Sequence, residues 1–303
     1  MSLTTNLGTA AGSVRRHTWR PRIANRNRRA RVLSFVFMLA AVSAVLLLAL
    51  LLGVLLLRGW DWIRLDLFTE QYSRNAEDAG LQAAILGSIL LVAVSGVMAF
   101  IIGVGTALFM EEYAPKGRIT DVLQTNISNL AGVPSVVYGL LGLALFVEML
   151  NLGRVLLAGA LTMGLLILPI VIIASQEAIR NVPLGLRQAA FGVGATRWQV
   201  IHHHVLPAAM PGILTGTILA ISRAIGETAP LIVVGASAVV FANPDSFFDQ
   251  YTAMPMQIYQ WAKQPQEEFT QLAAAAIIVL MVILLTMNGL AIYLRERLGK
   301  DRW

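Results

Sequence analysis

Ser222-Arg-Ala-Ile-Gly-Glu-Thr-Ala-Pro230 places Arg223 and Glu227 inside a long apolar run, Gly212 to Ala242, in which they are the only charges. Four residues apart on a helix, the two side chains share one face. A charged side chain at mid-bilayer costs about 3 kcal/mol on insertion scales. Two such charges in so apolar a stretch point to a polar pathway through a membrane. The plainer reading is a buried ion pair that only fixes helix packing, where truncating one partner costs about 3–5 kcal/mol.

The rest of the chain has the same character. Of its 303 residues 57% are hydrophobic and only 13% are charged. A soluble domain carries roughly 25% charged residues, so the composition is that of a polytopic membrane protein. There is no cysteine, which excludes disulfides, thiolate metal sites and cysteine nucleophiles. Apolar runs lie at 32–57, 81–110, 127–147, 155–175, 212–241 and 272–294. The first is about 39 Å long as a helix, enough to cross a ~30 Å hydrocarbon core. The third contains Gly132, Pro134, Gly139 and Gly142 and is expected to be bent or broken.

Net charge is +6, but its distribution belongs to a membrane rather than to nucleic acid. Arg15, Arg16, Arg20, Arg22, Arg26, Arg28, Arg29 and Arg31 precede the first span. Lys116, Arg118, Arg180, Arg187, Arg197, Arg295, Arg297, Lys300 and Arg302 fall on the same side of a six-span topology, against Arg58, Arg64, Arg74, Arg154 and Lys263 on the other. The positive-inside rule then puts both termini in the cytoplasm. The expected organisation is a disordered basic tail (1–31) lying on anionic lipid headgroups or simply enforcing orientation, a first transmembrane helix (32–57), an extracytoplasmic loop (58–80), a transmembrane core (81–294) and a short cytoplasmic tail (295–303).

Within that core, Gln176 to Pro211 is a polar cytoplasmic stretch of unusual length. Asn181 and Pro183 read as a helix start, and Leu184 to Phe191 as a short amphipathic helix. Gly192 and Gly194 interrupt it, Thr196 is placed to cap a second helix through Val205, and Leu206-Pro207 is expected to end that helix. A helix–glycine–helix elbow at the membrane surface is a docking shape. On the other side, Asn243 to Gln271 holds Phe247, Phe248, Tyr251, Tyr259 and Trp261. These read as an interfacial aromatic belt, or else as a docking surface for a soluble partner.

The elbow resembles the EAA loop of ABC importer permeases. Ala189, Ala190, Gly194, Leu206 and Pro207 fall in register with that pattern, while Gln188 stands where glutamate is usual and His204 where an apolar residue is usual. In that family the loop is a coupling helix seated in a cleft of the ATPase subunit. Gly132-Val-Pro-Ser-Val-Val-Tyr-Gly139, the 222–230 stretch and Met254-Pro-Met-Gln-Ile-Tyr259 are similar to PstA-type permease subunits of phosphate ABC importers. The resemblance implies an all-α, MetI-like fold with six transmembrane helices in a bacterial cytoplasmic membrane. It further implies a heterodimer with a PstC-type sister permease, two copies of a cytoplasmic ATPase that bind ATP and magnesium, an extracytoplasmic phosphate-binding protein, and phosphate as cargo.

The residues fit a subunit without its own engine. No G-x-x-x-x-G-K-[ST] occurs, and the only Gly-Lys, Gly299-Lys300, is followed by Asp301, so a P-loop is not present to cradle ATP. The pathway candidates are Arg223, Glu227, Ser135 and Tyr138, with Gly132 to Gly139 as a gate plugged by Tyr138 or as a simple proline kink. Gly212, Gly216 and Ala220 continue to Arg223 on one helical face, which is expected to meet the sister permease, and Pro230 is expected to break the helix beyond it. Consecutive histidines such as His202, His203 and His204 point about 100° apart on a helix and do not chelate one ion. Glu111-Glu112 and Glu267-Glu268 read as solvated loop charges. Two other readings stand beside this one: a permease of the same fold for another solute, and a stand-alone secondary transporter or channel. The latter lacks an inverted hydropathy repeat and leaves the elbow without a purpose.

Overall fold

The structure is a computed structural model that describes residues 23–236, 240 and 243–299. The expected tail before residue 23 and the end of the chain after 299 lie outside the described residues. Among the described residues the chain is helical with no strand. The helices are α1 (Ile23–Gly59), α2 (Asp66–Thr69), α3 (Gln82–Leu108), α4 (Arg118–Ala131), α5 (Ser135–Gly142), α6 (Leu156–Arg180), α7 (Leu184–Gly192), α8 (Arg197–Val200), α9 (Leu206–Ile225), α10 (Ala229–Val234), α11 (Met254–Ala262) and α12 (Glu267–Gly299). Among the described residues five helical stretches are long and apolar enough to cross a membrane, and six if α4 and α5 with its extension form one broken span.

The chain divides into two units at Gly53. In the first, α1 turns apolar side chains outward all round: Phe35, Phe37, Val45, Leu47 and Leu50 are each more than half exposed. A helix with no polar face belongs in lipid or against other apolar helices. It begins at Ile23, upstream of the expected span, so Arg26, Arg28, Arg29 and Arg31 lie on its first turns.

In the second unit, α6 is the central helix. Ala160, Met163, Ile167 and Val171 on it are fully enclosed by residues of α3, α9 and neighbouring segments. Its contact with α9 is set by small residues. A Cβ at Gly212 would lie 2.8 Å from the Ala178 Cβ, and one at Gly216 would collide with the Ala174 Cβ. The stripe Gly212, Gly216, Ala220 therefore packs on α6 of the same chain, not on a sister permease as expected. Small residues reveal a close helix crossing, but spacing alone does not say which helix crosses.

Two of the apolar runs are interrupted. α4 and the α5 stretch meet at 102°, with Gly132-Val133-Pro134 as the turn. Pro134 holds an extended ψ of 138° and disfavours helix in the residue before it. The fifth run also breaks, earlier than expected. α9 ends at Ile225 with Gly226 as its cap, and Pro230 sits in the first turn of α10 instead of stopping a helix. Proline at that position loses no hydrogen bond, because the first helical N–H groups have no intrahelical acceptor. Conversely, Leu206-Pro207 does not end a helix. A π-helical turn over Ile201–Val205 leads from α8 into α9, and Arg197 to Ile225 runs as one 29-residue span. The wider turn makes room where Pro207 would crowd the carbonyl four residues back.

Candidate functional site

The fifth span carries the charged pair at the break between α9 and α10. Arg223 lies in the last turn of α9 and Glu227 just past it, with Arg223 Nε 3.5 Å from Glu227 Oε1. The side chains are 61% and 20% exposed, so within this chain the arginine is not an enclosed structural ion. Its neighbours Ala220 and Ala224 are buried in the core, so the exposed guanidinium lies at the margin of the packed face of α9. A guanidinium left open on an apolar span requires water, substrate or a protein partner beside it.

The bent α4–α5 hairpin meets this region from the other side. Gly139 on α5 packs against Pro230, where an added Cβ would stand 2.8 Å from the Pro230 Cα. Residues 132–139 and 222–230, quoted separately from the sequence, therefore converge in space through α5 and α10. Tyr138 is buried and its hydroxyl donates to the Leu130 carbonyl at 2.9 Å. That bond ties α5 back to the end of α4 and fixes the 102° corner, so in this conformation the ring is a strut of the hairpin. Ser135 opens α5 at the corner and is half-buried.

The elbow is built from α7 and α8. Pro183 precedes α7 and Thr196 caps α8, both as expected. Gln199 Oε1 accepts from the Thr196 N–H at 2.8 Å, and the Gln199 backbone N–H donates to Thr196 Oγ1 at 3.4 Å. This reciprocal capping box satisfies two otherwise orphaned donors. Replacing Thr196 by Ala is expected to cost about 1 kcal/mol locally, seen as roughly fivefold faster amide exchange at Gln199 with the spans unchanged. Gly194 turns the corner at φ +85°, a left-handed conformation that favours glycine. Gln188 and Ala189 are exposed, Ala190 is buried against Val200 and Val205, and Leu206 and Pro207 are half-buried where the π turn passes into α9. Phe191, Val193 and Trp198 add exposed apolar surface, with Val193 86% exposed. Trp198 stacks on His202, and His202 meets His203 edge to face. Among the described residues no three His, Cys, Asp or Glu side chains are placed to hold one metal ion.

Sequence reasoning missed what holds the elbow. Glu111 and Glu112 are not solvated loop charges. Glu111 Oε1 accepts from Arg180 Nη2 at 2.7 Å, and Glu112, 9% exposed, lies 3.1 Å from Arg187 Nη1. These partners are some 70 residues apart, and no periodicity within a helix signals them. The aromatic loop is also split. Phe247 and Phe248 are exposed as a belt requires, but Tyr251 and Trp261 are completely buried and belong to the core. Burial pushes the Tyr251 phenol well above its ordinary pKa, so it stays neutral.

The chain's similarities agree with this geometry. The profile of the family described as "binding-protein-dependent transport system inner membrane component" matches residues 99–300. The phosphate transport system permease protein PstA 1 of Mycobacterium tuberculosis (strain CDC 1551 / Oshkosh) is 32% identical over 305 residues, covering 97% of this chain and 98% of the relative. A chain of a bacterial alginate ABC transporter in complex with its alginate-bound periplasmic protein superposes with a TM-score of 0.65 at 19% identity, over 92% of this chain and 99% of the other. A chain of the inward-facing MetNI methionine ABC transporter superposes with a TM-score of 0.56 at 14% identity, over 70% and 93%. On the family profile and on relatives matched along almost its whole length, the chain belongs to the binding-protein-dependent transport system inner membrane component family, in its PstA-type branch.

Proposed function

We propose that this chain is the transmembrane permease subunit of an ATP-driven importer that moves inorganic phosphate across the cytoplasmic membrane of a bacterium. The observation that carries the reading is the open Arg223, loosely paired with Glu227 at the break of an apolar span, in a chain similar along almost its whole length to phosphate transport permeases. Both termini lie in the cytoplasm, as the distribution of basic residues favours. A PstC-type sister permease covers the Arg223 side and closes a shared cavity. Two copies of an ATPase, which bind ATP and magnesium, drive the complex, and one of them engages this chain's elbow through Gln188, Ala189 and the apolar surface around Val193. A phosphate-binding protein delivers cargo from outside.

The chemistry suits the cargo. A guanidinium presents parallel N–H donors that match two oxygens of an oxyanion. Glu227 either offsets that charge, so that phosphate is not trapped, or accepts a hydrogen bond on its carboxylate from the P–OH of hydrogen phosphate. Sulfate has no such proton at neutral pH. The test of the whole reading is phosphate uptake by vesicles containing the reconstituted complex, with and without ATP and with sulfate as competitor. Uptake that ignores ATP, or that prefers another solute, removes it.

Glu227→Gln separates the two roles of the carboxylate. Hydrogen bonds to charged groups contribute about 1.5–3 kcal/mol and neutral ones about 0.5–1.5 kcal/mol, so exchanging the charged acceptor for a neutral amide oxygen is expected to narrow the preference for phosphate over sulfate by about fivefold to tenfold. Unchanged selectivity with slower release leaves Glu227 only the charge-offset role.

A further inference from the structure

α3 ends in a π-helical turn, Phe109–Tyr113, and three consecutive residues there each grip a different arginine of the elbow region. Glu111 accepts from Arg180 at the end of α6, at 2.7 Å. Glu112 pairs with Arg187 of α7 at 3.1 Å, and their side chains are only 11% and 19% exposed. The ring of Tyr113 lies under the Arg197 guanidinium of α8, 5.0 Å from its centroid. Arg187 is held a second time, donating from Nη2 to the Ile179 carbonyl at 2.8 Å. Beneath these contacts Val104 and Ala107 of α3 share one apolar cluster with Ile179, Ala190, Val200, Val205 and Ile213.

Further along, α3 still meets α9 where Ile221 approaches Gly96, an added Cβ at residue 96 standing 2.8 Å from the Ile221 Cδ1. A cavity of about 680 Å³ opens among α3, α9 and α12, lined by Val92, Gly96, Phe100, Thr217, Ile221 and Met287 among others. Screening is weak for the partly buried Glu112–Arg187 pair, and breaking it would strand a charge.

From this arrangement we infer that Glu111-Glu112-Tyr113 is a three-point yoke that makes α3 move with the coupling elbow, so that Glu112 and Arg187 are positioning residues for transport. The elbow then acts on two helices: on α9 through the continuous chain, and on α3 through the yoke. This rests on the proposal that the elbow receives the ATPase.

The absence of native cysteine permits a direct test. Single cysteines at Ile102→Cys on α3 or Leu219→Cys on α9, both exposed positions, carry an environment-sensitive thiol dye in the purified complex. With the native yoke both dyes are expected to change emission when ATP is added. With Glu111→Gln and Glu112→Gln together, the α3 response is expected to fall at least about fivefold while the α9 response stays within about twofold. An unchanged α3 response overturns the yoke. So does equal loss at both positions, which would mean that the acids only seat the ATPase. If the double variant does not assemble, Tyr113→Leu carries the test: an α3 response cut to about half supports the yoke, and an unchanged one overturns it. The dye response needs no solute, so an importer of something other than phosphate passes this test while failing phosphate uptake.

Discussion

Arg223→Ala is expected to leave an assembled complex whose ATP-driven phosphate uptake is reduced about 100-fold or more. A forked arginine contact supplies two charge-assisted hydrogen bonds, each contributing about 1.5–3 kcal/mol. Losing both corresponds to at least two decades in rate at about 1.4 kcal/mol per decade. The side chain is 61% exposed within this chain, so its removal takes little from the packing of the core. Co-purification of the sister permease and the ATPase at normal yield is therefore part of the expected result. Arg223→Lys retains the charge without the fork and is expected to fall between, about tenfold down. Uptake within about threefold of normal in the Ala variant would remove Arg223 from the pathway. Loss of uptake together with loss of the sister subunit would assign it to the interface instead.

Gly216→Leu is expected to prevent the transmembrane core from forming. The crossing of α6 and α9 is so close that even a methyl group at residue 216 meets the Ala174 side chain. A leucine adds three more carbons, and overpacking a close-packed contact typically costs 1–3 kcal/mol and occasionally more. The neighbouring close approach at Gly212 leaves α9 little freedom to shift aside. The expected readout is a large drop in monodisperse protein from detergent extracts and a lower thermal midpoint. Gly105→Leu is the control, because a Cβ there has nothing within 4 Å and the variant is expected to behave as the native chain does. If Gly216→Leu extracts and melts like that control, α6 and α9 are not in contact in the assembled protein.

How far the sequence could be read depended on the range of the interaction. The spans followed from composition, because burying an unsatisfied backbone in lipid leaves only helices. The elbow followed from local chemistry: Pro183 ahead of α7, Gly194 at the corner and Thr196 capping α8 act within a few residues of themselves. The bend after Ala131 followed from Gly132 and Pro134 for the same reason. Readings failed where a local signal had a nonlocal answer. Pro207 and Pro230 were both expected to stop helices, and both are accommodated, one after a π turn and one in a first helical turn. The stripe of Gly212 and Gly216 showed that something packs closely but did not name α6. Glu111 and Glu112 looked like loop charges because Arg180 and Arg187 reach them only through the tertiary fold. Trp261 and Tyr251 matched an aromatic belt by type and position, yet their burial depends on α11 folding back against its neighbours.

One consequence follows from the uninterrupted run of Arg197 to Ile225. In the importer proposed above its two ends are the corner that meets the ATPase and the turn that bears Arg223, so no relay of separate parts stands between fuel and cargo. A helix of 29 residues is a stiff rod about 43 Å long, and tipping it by about 5° at one end swings the other through about 4 Å. A swing of that size is comparable to the width of the anion, so a modest tilt suffices to bare or cover the guanidinium. The π turn near the base is then the compliance in the rod, and stiffening or loosening it would set how much of each tilt reaches the far tip.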